Sequence, residues 1–112
     1  MGSVRLALIG CGNIMHKHAQ HSKSIPDVEI VGLCDIVPSQ MERLAERSLT
    51  HLPRQPPRFT DIGRMYREAQ TTAVVIATPH TLHYEQARQA VERGCHVLVE
   101  KPLGLDGVEA RR

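Results

Sequence analysis

Val4-Arg5-Leu6-Ala7-Leu8-Ile9-Gly10-Cys11-Gly12 is the stretch on which the fold turns. A short apolar run that stops at a glycine reads as a buried strand. A G-x-G follows it directly, and the residues from Asn13 to about Lys23 read as a helix, with Pro26 closing it off. Strand, glycine turn and helix in that order are the setting in which such glycines carry chemistry. The first glycine allows a tight turn. The second lets the backbone come close to a pyrophosphate, and the unpaired N–H groups at the helix start attract the anion. The fingerprint asks for a third small residue at position 15, where Met15 stands. Its long side chain must enter the helix–strand contact or bend out of the way. Alone, the motif serves equally well as a structural turn.

Working outward, Val28 to Cys34 reads as a second strand ending at Asp35, and Pro38 and Ser39 open a second helix. Leu52 to Arg58 carries three prolines and reads as an extended connector, with a short third strand near Pro57 to Thr60. Thr60 or Asp61 is expected to cap a helix bearing Ile62, Met65, Tyr66 and Ala69. Ala73 to Ala77 is β-branched, uncharged and without alternation, as in a strand buried on both faces. Thr81 to Arg93 is expected to be helical, with Tyr84, Ala87, Ala90 and Val91 inward and Gly94 as its stop. His96 to Val99 gives a fifth strand, and Asp106 opens a further helix. Strand and helix alternate throughout. The expected fold is α/β: a doubly wound, Rossmann-like parallel sheet of about five strands in the order 3-2-1-4-5.

Composition narrows the function classes. The chain has 112 residues, 41% of them hydrophobic and 23% charged, which suits one globular domain. A formal charge of +2 and only Phe59, Tyr66 and Tyr84 as aromatics argue against nucleic acid. No apolar run approaches the length of a membrane span, and the first residues do not read as a signal peptide. Cys11, Cys34 and Cys95 form no C-x-x-C, so buried, reduced thiols and a cytoplasmic location are expected. His16, His18 and His21 share one helix, and His80 and His83 another, but no Cys or acidic partner falls into register with them. No metal site is expected.

Further positions make a site. Asp35 ends the second strand, at the distance beyond the glycines where a carboxylate accepts hydrogen bonds from an adenosine ribose. It favours the free 2′-hydroxyl of NAD over the 2′-phosphate of NADP, since Ile36 and Val37 offer no cation. Thr78 and Pro79 end the fourth strand, where a hydroxyl and backbone groups can meet a ribose, although the segment alone reads better as an ordinary strand exit. Glu100, Lys101 and Pro102 follow the fifth strand. An ammonium there can move a proton at an oxygen beside a nicotinamide, although a solvated ion pair fits the spacing equally.

These segments together resemble the N-terminal domain of the glucose-fructose oxidoreductase, inositol dehydrogenase and rhizopine-catabolism (Gfo/Idh/MocA) family. The resemblance runs over nearly the whole chain: L-I-G-C-G-N-I-M-H-K-H at 8–18, V-G-L-C-D at 31–35, V-V-I-A-T-P-H-T-L-H at 74–83 and G-C-H-V-L-V-E-K-P-L at 94–103. It implies an NAD- or NADP-dependent oxidoreductase acting on sugars, cyclitols and related hydroxyl compounds. It implies that Gly10, Gly12, Asn13 and Ile14 form the phosphate loop and that Asp35 holds the ribose. Thr78, Pro79 and His83 would line the cofactor, and Glu100, Lys101 and Pro102 would form the motif whose lysine is catalytic. His18 would be a packing or polar-contact residue.

Met15 departs from the family's small residue, which bears on how tightly pyrophosphate is held. Family members also carry a second domain that supplies most of the substrate pocket. The chain is therefore expected to be a dinucleotide-binding domain, incomplete at its C-terminus and inactive alone, with possible homo-oligomers of the full-length protein. Two other classes fit part of the pattern. A non-catalytic NAD sensor would keep the glycines and Asp35 without needing Lys101. An S-adenosylmethionine-dependent methyltransferase would usually show a denser G-x-G-x-G, where this chain has Ile14.

Overall fold

The computed structural model describes residues 4–22, 27–78 and 80–99, without the side chains of 80, 81, 83 and 99. Five strands, β1 (Val4–Ile9), β2 (Val28–Cys34), β3 (Arg58–Phe59), β4 (Ala73–Ile76) and β5 (His96–Val99), alternate with four helices. The helices are α1 (Asn13–His21), α2 (Pro38–Ser48), α3 (Ile62–Ala69) and α4 (His80–Glu92). All strand pairs are parallel, in the order β3-β2-β1-β4-β5. The fold expected from the sequence is the fold observed. The reading of Asp106 as a helix start lies outside the described residues, as does Pro26.

Burial on both faces explains why the strands show no alternation. In β1, Ala7 and Ile9 join Val74, Ile76, Met65, Ala87 and Ala90 in one core cluster. The intervening Leu8 joins Met15, Leu33, Met41, Leu44 and Val75 in the other. Helices α3 and α4 cover the first face, and α1 and α2 supply the second.

The structure corrects three details. Helix α1 ends at His21, where the Ser22 hydroxyl donates to the Ala19 carbonyl. The expected side-chain cap of α3 does not form: Asp61 stands at the N-cap, but only its main-chain carbonyl engages, accepting from the Met65 N–H at 3.1 Å. On α4, Ala87 and Ala90 are buried as expected, whereas Tyr84 and Val91 are exposed. The alanine stripe lets α4 lie close to the sheet, so the larger residues three before and four after Ala87 fall outside the contact. Gly94 does stop this helix. With φ at +80° it directs its own N–H to the Val91 carbonyl and the Cys95 N–H to the Ala90 carbonyl, a Schellman closure.

Candidate functional site

The parallel strands bring the ends of β1, β2, β3 and β4 together, and a cleft of about 480 Å³ opens beyond them. Gly10, Gly12, Asp35 and Thr78 all line it. Asn13 and Ile14 stand exposed on the first turn of α1, outside the lining. His83 lies on α4 with its side chain undescribed, and Pro79, Glu100, Lys101 and Pro102 lie outside the described residues.

The glycine turn is built for close approach. Gly10 adopts φ +87°, and a Cβ there would sit 2.8 Å from the Ala77 carbonyl carbon and from the Thr78 nitrogen. Gly12 is the N-cap of α1 and makes no side-chain cap. A Cβ on Gly12 would meet nothing within 4 Å. No N-cap side chain occupies the first N–H groups of α1, as an anion site requires.

Asp35 holds this turn as well as offering itself to a ligand. One carboxylate oxygen accepts the Cys11 N–H at 2.8 Å, and the other accepts the Val37 N–H at 2.9 Å. Each oxygen keeps a further acceptor position. The sequence leads to the expectation of a ribose contact at Asp35 but not to this brace between the glycine turn and the end of β2, which arises only from the pairing of β1 with β2.

Thr78 donates its hydroxyl hydrogen to Gln86 Oε1, so that hydrogen is engaged within the protein. Gln86, Gln40, Thr60, Leu82 and Ile62 also line the cleft and do not stand out from the sequence as site residues. For Gln86 the available signal was its position two turns into α4 from Thr78. For Thr60 and Asp61 it was their place just past a strand end.

Cys11 and Cys34 lie beneath the cleft and are chemically quiet. Burial, aided by the Asp35 carboxylate, pushes the Cys11 thiol up to about 12. Burial, with Asp35 and Asp61, takes Cys34 to about 11. Burial also raises the Tyr66 hydroxyl above its ordinary range. Such thiols stay protonated and poorly nucleophilic. Because their pKa is raised on folding, the native state retains protons that the unfolded chain has lost. Their contribution is complete below about pH 9, the ordinary thiol value, and fades as the pH climbs toward the folded values near 11 and 12. The urea midpoint is therefore expected to fall between pH 8.5 and 11. A midpoint constant over that range would contradict this assignment.

The histidines of α1 do not line this cleft. The His16 Nδ1 lies 2.6 Å from the Ser48 hydroxyl across the α1–α2 seam. Burial, with Arg47 and Arg43 nearby, lowers its pKa. His18 lines a separate apolar groove between α1 and the sheet. Among the described residues no group of three or more His, Cys, Asp or Glu is arranged to hold a metal. None of their helices is long and apolar enough to cross a membrane.

A parallel sheet in this order, with an uncapped glycine turn and an acid at the end of β2, defines a dinucleotide-binding domain. The profile of the oxidoreductase family with an NAD-binding Rossmann fold (Gfo/Idh/MocA) matches residues 4–112, and the chain belongs to that family. It is 33% identical over 109 residues to D-glucoside 3-dehydrogenase of Escherichia coli, covering 96% of this chain and 30% of that protein. The WlbA dehydrogenase of Chromobacterium violaceum, solved with NADH and UDP-GlcNAcA, superposes with a TM-score of 0.77 at 29% identity. That match covers 92% of this chain and 28% of WlbA. The scyllo-inositol dehydrogenase of Lactobacillus casei, solved with NAD(H) and scyllo-inositol, gives a TM-score of 0.75 at 27% identity, covering 96% of this chain and 30% of that enzyme. The chain thus spans under a third of the length of each of these relatives.

Proposed function

We propose that the protein is the cofactor-binding part of an oxidoreductase that moves a hydride between a nicotinamide and a C–H of a sugar, cyclitol or related hydroxyl compound. The observation that carries this reading is the convergence of the Gly10–Gly12 turn, the start of α1 and the Asp35 carboxylate on one cleft. The residues fit a dinucleotide: open N–H groups for the pyrophosphate and a carboxylate for the ribose hydroxyls. NAD is the expected form. Among its described lining residues the cleft holds two carboxylates, Asp35 and Asp61, and no Lys, Arg or His. A 2′-phosphate would meet only negative charge there.

The nicotinamide supplies the hydride chemistry when bound, and the protein positions it. Strand β5 ends at Val99 opposite Ile76, so the chain beyond it starts at the same sheet end as the cleft. This supports a role for Lys101 in moving a proton at the substrate oxygen, with Glu100 beside it. Dehydrogenases of a glucoside and of scyllo-inositol among the relatives support a polyhydroxylated substrate, which a second domain would enclose. Three free buried thiols suit a reducing compartment such as the cytoplasm.

The test is thermal unfolding of the chain with NAD⁺, NADP⁺ or S-adenosylmethionine. Ligand at 100 times its Kd adds about 2.7 kcal/mol, a rise of several degrees. NAD⁺ alone is expected to give it. Asp35→Ala should abolish that rise, and the lower ligand-free Tm of this variant measures the separate cost of losing the brace. A rise with S-adenosylmethionine instead of NAD⁺ would replace this reading by a methyltransferase. In the enzyme that carries this domain, Lys101→Ala should lower kcat by about 10²–10⁴-fold with cofactor affinity kept. Unchanged kcat would leave a nucleotide-binding role without Lys101 chemistry.

A further inference from the structure

We propose that Gln86 binds the nicotinamide half of the dinucleotide, its side-chain nitrogen donating a hydrogen bond to an acceptor oxygen there. This contact rests on the cofactor reading above and gives a role to a residue that no glycine or acid motif marks. On that reading the pyrophosphate lies over the glycine turn beyond β1, and the adenosine ribose at Asp35 beyond β2. Strand β4 flanks β1 on the other side. Neighbouring strands stand about 4.8 Å apart, so the rest of the dinucleotide passes over the end of β4. Thr78 stands at that end, and Gln86 faces it from α4.

Hydrogen bonding fixes which end of the Gln86 amide is available. Thr78 sits against the glycine turn, its nitrogen and side-chain methyl each 2.8 Å from where a Gly10 Cβ would stand. Its hydroxyl donates to Gln86 Oε1, and both residues line the cleft. With the oxygen held on Thr78, the nitrogen takes the other corner of the planar amide and carries two hydrogens. That nitrogen has no hydrogen-bond partner among the described residues, and it is not among their buried unpaired polar atoms, so solvent or a ligand reaches it. The described lining residues at this edge are Ala77, Thr78, Leu82 and Gln86. Of these, Gln86 holds the one side-chain donor whose hydrogens are not already engaged. The other amide of the lining, Gln40, stands at the start of α2 beyond β2, with its oxygen taken by Arg43. Phosphate and ribose oxygens accept, so an amide nitrogen beside the glycine turn matches them.

The experiment measures the Kd of NAD⁺ by isothermal titration, and that of AMP by its displacement of bound NAD⁺. AMP carries the adenosine half alone. Gln86→Glu keeps an oxygen for the Thr78 hydroxyl and removes the donor. Gln86→Met removes the donor without adding charge. Both variants are expected to raise the Kd of NAD⁺ about tenfold and to leave that of AMP within about twofold, as the loss of one hydrogen bond predicts. Ligand-free melting near the native Tm shows that each variant is folded. A loss in Gln86→Met alone would place the effect in the orientation of Thr78, and a loss in Gln86→Glu alone would be charge repulsion; either overturns the donor role. So would an unchanged Kd for NAD⁺ in both variants, or an equal loss for AMP. Each of these leaves the cofactor reading intact. Failure of the native chain to bind NAD⁺ would overturn both.

Discussion

Gly10→Ala is expected to remove a large share of the stability of this domain, whereas Gly12→Ala, two residues on, should barely change it. The two glycines look alike in the sequence. At Gly10 the backbone has φ +87°, a conformation costing an L-residue about 1–3 kcal/mol. The added methyl would also press against the backbone of Ala77 and Thr78 at 2.8 Å, and such overpacking costs about 1–3 kcal/mol more. Domains are stable by only about 5–15 kcal/mol in all. At Gly12, φ is −82° and the position of a Cβ is open, so the fold should lose under about 1 kcal/mol. On the proposed function that open space takes the pyrophosphate, so Gly12→Ala should weaken NAD⁺ binding instead. Urea midpoints of both variants decide the matter. Equal losses at the two positions would refute the division into a folding glycine and a ligand glycine.

Met15→Ala should destabilise the chain by about 2–5 kcal/mol, the cost of emptying a filled core site. From the sequence, Met15 stands where a small residue would ease pyrophosphate binding, and alanine there reads as a repair. The structure has Met15 fully buried, in the cluster with Leu8, Leu33, Met41 and Leu44. Its flexible thioether side chain fills the contact of α1 with the sheet and of α1 with α2. The expected result is a lower urea midpoint with the NAD⁺-induced rise in Tm retained. An unchanged midpoint, or tighter NAD⁺ binding, would return Met15 to the role its position in the motif suggests.

On the proposed function, Asp35 is both a binding residue and, through its brace, a folding residue. Its two oxygens tie the glycine turn to the end of β2, so the turn proposed to take the phosphates is held in place by the protein itself. Preorganisation of this kind spares the ligand the cost of ordering the turn. It also means that loss of Asp35 has two consequences, separable only by melting with and without NAD⁺.

What the sequence determined by itself was the alternation of strands and helices, and with it the parallel sheet and its order. Uncharged strands such as Ala73 to Ala77, with helices between them, leave a right-handed doubly wound sheet as the economical arrangement. The glycine turn and Asp35 were legible for the same reason, because they follow strand ends, and strand ends are local features. Even the stop at Gly94 could be read from one residue, since a helix end needs a left-handed position that glycine supplies freely.

The tertiary structure decided what depends on residues far apart in the chain. Tyr84 and Val91 fit the helical period of α4 but sit outside its narrow alanine contact, because the closeness of a helix to its sheet is set by the side chains between them. Asp61 engages α3 through its main-chain carbonyl and not its side chain, which its neighbours in sequence do not reveal. Met15 became a core residue because α2 packs against α1. Asp35 became a brace because β1 and β2 pair in register. In each case a local pattern offers a residue two places to go, and only the surfaces that meet it in space choose between them.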